Sequence, residues 1–119
     1  MIKGIKFASI ATTNQDRAVE FWTKQVGFRV LTDQPFDDRQ RWIEIGIPGA
    51  DTKLVLFAME DQQPGGFTNI AFWTDDVHKT YEEMKSKGVE FIQEPQTADW
   101  GTAAIFKDSD GNAFALGTK

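Results

Sequence analysis

The sequence contains no cysteine and only one histidine, His78. Without cysteine the chain cannot form a disulfide, present a thiolate nucleophile or hold a cysteine-ligated zinc or iron–sulfur centre. A single histidine also excludes a histidine-rich metal site within one chain. His78 falls on the polar side of a predicted helix, so we interpret it as a solvated surface residue.

Basic blocks and long apolar runs are missing as well. The 13 Lys and Arg residues against 18 Asp and Glu residues give a net charge of −5, which argues against a nucleic-acid partner because phosphates would be repelled. The longest apolar run covers residues 54–59 and is too short to span a bilayer, and no targeting segment is visible. We therefore expect a cytoplasmic protein that binds neither nucleic acid nor membrane.

Aromatic side chains, in contrast, are abundant. Ten Phe, four Trp and one Tyr make up 13% of the 119 residues. The 40% of apolar and 26% of charged residues are otherwise typical of a globular domain. Because aromatic rings contribute strongly both to cores and to binding surfaces, the question is on which side of the fold each ring lies.

The apolar periodicity divides the chain into two halves with the same order of elements: strand, helix and three strands. In the first half Asn14 is placed to cap the helix and Gly27 to end it; in the second half Asp75 or Asp76 caps the helix and Gly88 ends it. The predicted strands cover residues 5–11, 28–31, 41–47 and 53–58, then 68–73, 89–92, 102–106 and 113–116.

Prolines and glycines set several of these limits. Pro35 lies in a polar stretch, residues 33–40, that is predicted as a loop or hairpin connection, and Pro95 is predicted to end the strand at 89–92. The segment 60–66 is the clearest linker. Residues 108–112 form a predicted tight turn in which Gly111 supplies the positive φ angle.

The two halves are related by an offset of 62 residues, in pattern rather than in identity. The prediction is an α+β fold of two tandem βαβββ modules, about 1–60 and 66–119, in a single domain 1–119. Each half has about 55 residues and is too small to bury a stable core alone. The modules must therefore pack together or pair with another chain.

Specific segments carry a resemblance to a known family. They are Asn14–Trp22 and Val26–Phe28 in the first half, and Asn69–Val77, Lys87–Val89 and Phe106–Asn112 in the second. They resemble the vicinal oxygen chelate superfamily, the group of glyoxalase I, extradiol dioxygenases, fosfomycin-resistance proteins and bleomycin-resistance proteins. The resemblance implies curled sheets around a cavity, a homodimer and, in the family's enzymes, one metal held by His, Glu or Gln.

The four positions that hold this metal in the family correspond here to Phe7, Val55, Asn69 and Ala115. Three of these residues have no donor atom in the side chain, and one amide oxygen cannot hold a transition metal alone. We therefore expect no metal, no other cofactor and no catalytic residue. This departure puts glyoxalase, dioxygenase and fosfomycin-transferase chemistry in doubt, because all of them use the metal as a Lewis acid.

What remains is an aromatic pocket. Trp42 and Glu44 alternate with Ile43, Ile45 and Ile47, and we assign the Trp42 side of the strand to the cavity because the isoleucines suit the helices better. The expected ligand-binding residues are Phe7, Trp42, Glu44, Val55, Phe57, Asn69, Trp73, Trp100 and Ala115. Such a pocket suits a small aromatic or cationic molecule.

Two of these assignments have plainer alternatives. Glu44 could instead form a salt bridge with Arg41 or Lys53, and Asn69 could only bond neighbouring backbone. Trp22, on the apolar stripe of the first helix, is interpreted as a core residue.

The function indicated is a metal-free binding protein of this superfamily that sequesters a ligand such as a drug, as in antibiotic resistance. The alternative is a superfamily enzyme, lyase, isomerase or dioxygenase-like, with atypical or metal-independent chemistry. A third reading is a structural homodimer whose cavity is closed by Phe7, Phe57 and Trp73.

Overall fold

The computed structural model describes residues 1–58 and 62–119, and both modules have the predicted order of elements. The first contains β1 (Phe7–Ala11), α1 (Gln15–Glu20) continued by a π-helical turn (Phe21–Gln25), β2 (Arg29–Pro35), β3 (Arg41–Gly46) and β4 (Lys53–Phe57). The second contains β5 (Gly66–Trp73), α2 (Val77–Ser86), β6 (Glu90–Ala98), β7 (Gly101–Lys107) and β8 (Asn112–Gly117). The predicted α+β fold of two βαβββ modules is confirmed.

The chain divides into two compact units, Met1–Pro64 and Gly65–Lys119. Of the predicted linker at 60–66, residues 60 and 61 lie outside the described residues, and Gly66 already begins β5. That the units form a single domain 1–119 stays a prediction.

Each module builds one four-stranded mixed sheet. The strand order is β1-β4-β3-β2 in the first module and β5-β8-β7-β6 in the second. In both, the first and last strands of the module pair in parallel, and the remaining neighbours pair antiparallel. The two sheets therefore have the same topology.

The predicted caps begin both helices. The Asn14 side chain accepts a hydrogen bond from the Arg17 amide at 3.1 Å, and the Asp76 side chain accepts one from the Lys79 amide at 3.0 Å. Such bonds satisfy amide groups that have no partner inside the helix. Gly27 ends the first helical segment with a φ of 98°, a conformation that glycine adopts without strain.

Two predicted strand limits are wrong, and proline is the reason in both cases. β2 continues from the predicted end at residue 31 to Pro35, and β6 continues from residue 92 through Pro95 to Ala98. Both are edge strands, which pair on one side only and are the strands of a sheet that tolerate proline. The register of β6 also shifts between Gln93 and Gln96, around Pro95.

One face of each sheet packs under its helix. In the first module this face consists of fully or almost fully buried aliphatic residues, with Trp22 of the helical segment also fully buried: Ile10, Ile43, Ile45, Leu54 and Leu56. In the second, Val77, Tyr81 and Met84 of α2 are buried together with residues of β7 and β8: Ala104, Phe106, Phe114 and Leu116. The predicted core roles of Trp22 and of Ile43 and Ile45 are confirmed.

The search for membrane-spanning helices, made over the described residues, finds no helix long and apolar enough to cross a bilayer.

Candidate functional site

The face of the first sheet that points away from α1 carries most of the predicted site residues. Phe7 is paired with Lys53, and Val55 lies between Ser9 of β1 and Glu44 of β3. Because side chains of directly paired residues share a face, the following residues form what we call the first open face: Phe7, Trp42, Glu44, Lys53, Val55 and Phe57. Val55 has no exposed surface, whereas the others are partly exposed.

The rings on the first open face form a continuous cluster around Trp42. Its ring centroid lies 5.6 Å from that of Phe7 and 5.3 Å from that of Phe57, both in edge-to-face arrangements. Phe36, from the loop after β2, joins at 4.9 Å from Phe57 and 6.2 Å from Trp42, and it remains 58% exposed. The cluster therefore presents aromatic surface to solvent instead of closing over it.

Phe36 is a member of this ring cluster that the sequence did not predict. It lies in a polar stretch that was read only as a connection, so no apolar periodicity marked it. The loop turns back on itself because the Phe36 and Asp37 amides both donate to the Gln40 carbonyl. The one feature of the sequence that could have indicated Phe36 is that it is the only aromatic residue in the polar stretch 33–40.

Glu44 is the carboxylate beside the cluster. Its Oε2 accepts a hydrogen bond from the Trp42 indole Nε1–H at 3.0 Å, and its Oε1 lies 3.7 Å from Lys53 Nζ. The hydrogen bond from Trp42 is the main cause that lowers the pKa of Glu44, and the charge of Lys53 acts in the same direction. With its side chain 16% exposed, Glu44 is an ionised acid that already has partners.

The predicted alternative for Glu44 holds in part. It pairs with Lys53, whereas Arg41 lies on the helix side of β3 and binds Asp16 at 2.8 Å and Asp33 at 2.9 Å. Those two bonds raise the pKa of Arg41. Arg41 and its acids thus form their own network, apart from the first open face.

The corresponding face of the second sheet is built from small residues. The register pairs Ala71 with Ala115 and Ala103 with Gly117, and Ile105 lies beside Ala115. We call this the second open face; it also includes Phe67 and Trp73 on β5, which are 54% and 57% exposed. Ala115 lies in the middle of this face and is partly exposed. Its methyl side chain cannot donate or accept a hydrogen bond.

Asn69 lies in an irregularity that the alternation did not predict. Phe67 pairs with Ala113 and Ala71 pairs with Ala115, so three residues of β5 lie opposite one residue of β8. Asn69 adopts a φ of 65°, the left-handed conformation that asparagine tolerates better than most residues. Such bulges redirect a side chain relative to the regular strand, and Asn69 is exposed.

Two tryptophans of the second module lie at exposed positions. The ammonium of Lys119 is 4.7 Å from the ring centroid of Trp73, within the range of a cation–π contact. Trp100 precedes β7 in the connection from β6 and is 70% exposed. Phe7, Trp42, Glu44 and Phe57 are therefore brought together, whereas Asn69, Trp73, Trp100 and Ala115 belong to the second module.

The residues at the four metal positions of the family do not fit a metal ion. Phe7, Val55 and Ala115 have no donor atoms in their side chains, and Asn69 offers one neutral oxygen. Within residues 1–58 and 62–119, no group of three or more His, Asp or Glu side chains is close enough to hold an ion.

The sequence matches the family model described as the glyoxalase/bleomycin resistance protein/dioxygenase superfamily over residues 4–116. The chain belongs to this superfamily, which confirms the resemblance seen in the sequence. It is 41% identical to the uncharacterised protein YetH of Bacillus subtilis (strain 168), with 98% of both chains covered.

Two solved structures are particularly similar. A glyoxalase/bleomycin resistance protein/dioxygenase superfamily member from Sphaerobacter thermophilus DSM 20745 has a TM-score of 0.91 and 32% identity, over 99% of this chain and 98% of the other. TnmS3, an antibiotic binding protein from Streptomyces sp. CB03234, has a TM-score of 0.89 and 33% identity, over 98% and 96%.

Proposed function

We propose that this protein reversibly binds a small aromatic molecule without a metal ion, in the manner of a drug-sequestering protein. The observation that carries the proposal is the first open face, where Trp42, Phe7 and Phe57 form a ring cluster around one half-buried acid. The similarity to TnmS3, an antibiotic binding protein, supports a drug as the kind of ligand.

The chemistry of this face suits a planar ligand. Aromatic pairs contribute about 0.5–1.5 kcal/mol each beyond the burial of their area. Small-molecule sites are mostly apolar, with a few polar groups that fix the ligand's orientation. Phe36 and Trp42 supply exposed ring surface, and Glu44 and Lys53 supply the polar groups.

The second open face contributes to the proposal in a different way. Ala115 and its small neighbours leave room above the sheet, Asn69 offers an amide from the bulge, and Trp73 and Trp100 offer exposed rings. We propose that these residues contact ligand on the second module's own open face. Val55, being fully buried, supports the neighbouring side chains from within the first face.

A thermal-shift screen of the purified protein tests this function. A panel of small aromatic compounds is added once with a chelator and once with added nickel, manganese, iron or zinc. A ligand at one hundred times its Kd stabilises the native state by about 2.7 kcal/mol, which is readily detected. We expect stabilisation in the chelated samples.

The Trp42→Ala variant is the control for the site. It should keep the fold, because Trp42 lies on the exposed side of β3, and it should lose the ligand-induced shift. Stabilisation that appears only with added metal, or turnover of a compound, would contradict the proposal and favour the enzyme alternative. A Trp42→Ala protein that is stabilised as strongly as wild type would remove the site assignment.

We propose in addition that the chain forms a homodimer, as the family resemblance implies. Light scattering coupled to size-exclusion chromatography should give twice the monomer mass of 13.4 kDa. A monomer at micromolar concentration would contradict this part of the proposal and leave the binding proposal standing.

A further inference from the structure

Glu44 and Lys53 form an acid–base pair on the first open face, which Arg29 also shares through its pairing with Gly46, and the surroundings of the two paired groups differ. Glu44 is 16% exposed in its side chain, and one of its oxygens is bonded to the Trp42 indole. Lys53 is 40% exposed, and its Nζ lies 3.7 Å from Glu44, an ion-pair distance beyond a normal hydrogen bond. The base is therefore more accessible than the acid.

Lys53 also has more unused hydrogen-bonding capacity than Glu44. A carboxylate only accepts bonds, and Glu44 already accepts one from Trp42 while facing the charge of Lys53. An ammonium has three N–H donors, and the Lys53 ammonium makes no hydrogen bond to any residue within 1–58 and 62–119. An incoming ligand meets unused donors on this face, next to the rings.

A cationic ligand would have to compete for Glu44. Its positive charge would approach a carboxylate that Trp42 and Lys53 already stabilise, and it would be repelled by Lys53 itself. Asp16 and Asp33 are not available to a cation on this face, because both bind the Arg41 guanidinium on the other side of β3. An anionic oxygen, in contrast, would gain a charge-assisted bond from Lys53.

From this arrangement, and on the basis of the proposed binding function, we infer that the ligand is an aromatic molecule bearing a carboxylate or similar anionic oxygen, which Lys53 binds. Trp42 and its ring neighbours bind the aromatic part. Glu44 is a positioning residue: it fixes the indole of Trp42 and holds the Lys53 ammonium beside it. The chain's net charge of −5 does not favour an anionic ligand, so the preference for an anion comes from Lys53 on this face.

Three probes with the same ring system and different charges test the inference. They are 2-naphthoate, neutral 2-naphthamide and the cation 2-naphthylmethylammonium, each titrated into the wild-type protein by isothermal titration calorimetry. We expect naphthoate to bind about tenfold more tightly than the amide, as one hydrogen bond to a charged group allows, and the ammonium to bind most weakly. Raising the salt concentration should reduce the naphthoate preference.

The variant Lys53→Met removes the charge and keeps an unbranched side chain that is one atom shorter. It should bring naphthoate to the affinity of naphthamide and leave the amide unchanged. The matched control is Lys107→Met, because Lys107 is also 40% exposed, lies on a strand and pairs with an acid, Glu90, at 3.6 Å. It should keep the wild-type ratio of affinities.

Glu44→Gln separates positioning from direct ligand binding. Its amide oxygen can still accept the Trp42 bond, so naphthoate should bind several-fold more tightly once the competing negative charge is gone. A loss of ammonium binding alone would show instead that Glu44 binds cations, and would overturn the inference.

Other outcomes separate the two proposals. Equal binding of all three probes, abolished by Trp42→Ala, would overturn the anion preference and leave the aromatic-binding function intact. Loss of the preference in Lys107→Met but not in Lys53→Met would also overturn the inference, because the anion would then be bound by the second module. No binding of any probe would contradict both proposals.

Discussion

The two modules have sheets of the same topology but differ in how aromatic side chains are divided between the helix side and the open face. In the first, the sheet residues under the helix are aliphatic, such as Ile43 and Leu54, and the rings of Trp42 and Phe57 lie on the open face. In the second, Phe106 and Phe114 lie under the helix, and the open face carries Phe67 and Trp73 beside a floor of alanine and glycine.

This difference separates packing from binding. Phe106 and Phe114, whose ring centroids lie 5.5 Å apart, are at most 1% exposed and belong to the core. The rings of the first open face have similar spacings but remain partly exposed. Rings with similar spacings therefore differ in exposure, since Phe106 and Phe114 are closed to solvent and the rings of the first open face are accessible to it.

The largest expected effect breaks this comparison directly. Phe106→Ala should lower the free energy of unfolding by about 3–5 kcal/mol, because it leaves a cavity in a closed core. Phe57→Ala, on the first open face, should cost clearly less stability and should abolish binding of 2-naphthoate. Urea unfolding and calorimetric titration measure the two quantities. Equal stability losses in the two variants would show that the first face is a core after all.

Local alternation was enough to predict which side of β3 each residue occupies. Isoleucine recurs at every second position of β3, so the buried Ile43 and Ile45 and the opposite placement of Trp42 and Glu44 follow from the period of a strand. Glycine, asparagine and aspartate signals likewise placed the ends and caps of the helices. These features depend on residues close together in the sequence.

Features that depend on pairing with distant strands could not be predicted in this way. Pro95 ends a strand by its local chemistry, yet it is tolerated because β6 lies at the edge of the sheet, and that position is a property of the topology. The bulge at Asn69 arises from the parallel pairing of β5 with β8, about 45 residues away. Phe36 reaches Phe57 only once its hairpin loop has formed.

The next effect sharpens the comparison between β1 and β5. Asn69→Val should lower the free energy of unfolding by about 1–2 kcal/mol, because a β-branched residue at a φ of 65° is strained, whereas Asn69→Gly should be nearly neutral. Ser9→Val, in the regularly paired middle of β1, is the matched control and should cost less than Asn69→Val. Denaturant midpoints check the order. Equal costs for the two valine variants would mean that the bulge is not a strained feature.

Glu44 in the first module and Asp108 in the second should make contributions to stability that change with pH in opposite directions. The pKa of Glu44 is lowered, chiefly by the hydrogen bond from Trp42, so its contribution to stability is present at neutral pH and is lost as the pH falls through the folded-state pKa. The slope of stability against pH below the usual range of a glutamate should become smaller in Glu44→Gln. An unchanged slope would contradict this account of Glu44.

Asp108, in the β7–β8 turn, is the opposite case. Burial is the largest cause and raises its pKa, although it accepts hydrogen bonds from the Asp110 and Asn112 amides and from the Asn112 side chain. The native state therefore binds this proton more strongly, and the contribution of Asp108 to stability should fall as the pH rises through the folded pKa. Asp108→Asn should remove that fall, as pH-dependent urea unfolding can measure. A variant with the wild-type pH profile would show that Asp108 ionises normally.

The smallest expected effect concerns how each open face holds its tryptophan. The indole of Trp42 is fixed by a hydrogen bond to Glu44, whereas Trp73 is 57% exposed and has the Lys119 ammonium over its ring. An exposed cation–π contact is worth about 0.5–1 kcal/mol, so Lys119→Met should change the free energy of unfolding by less than that. The same variant should increase acrylamide quenching of the protein's fluorescence, because Trp73 loses its cover. The increase should vanish in a Trp73→Phe background and persist in a Trp42→Phe background. If the increase in quenching persisted in the Trp73→Phe background and vanished in the Trp42→Phe background, the ring that Lys119→Met exposes would be Trp42 and not Trp73.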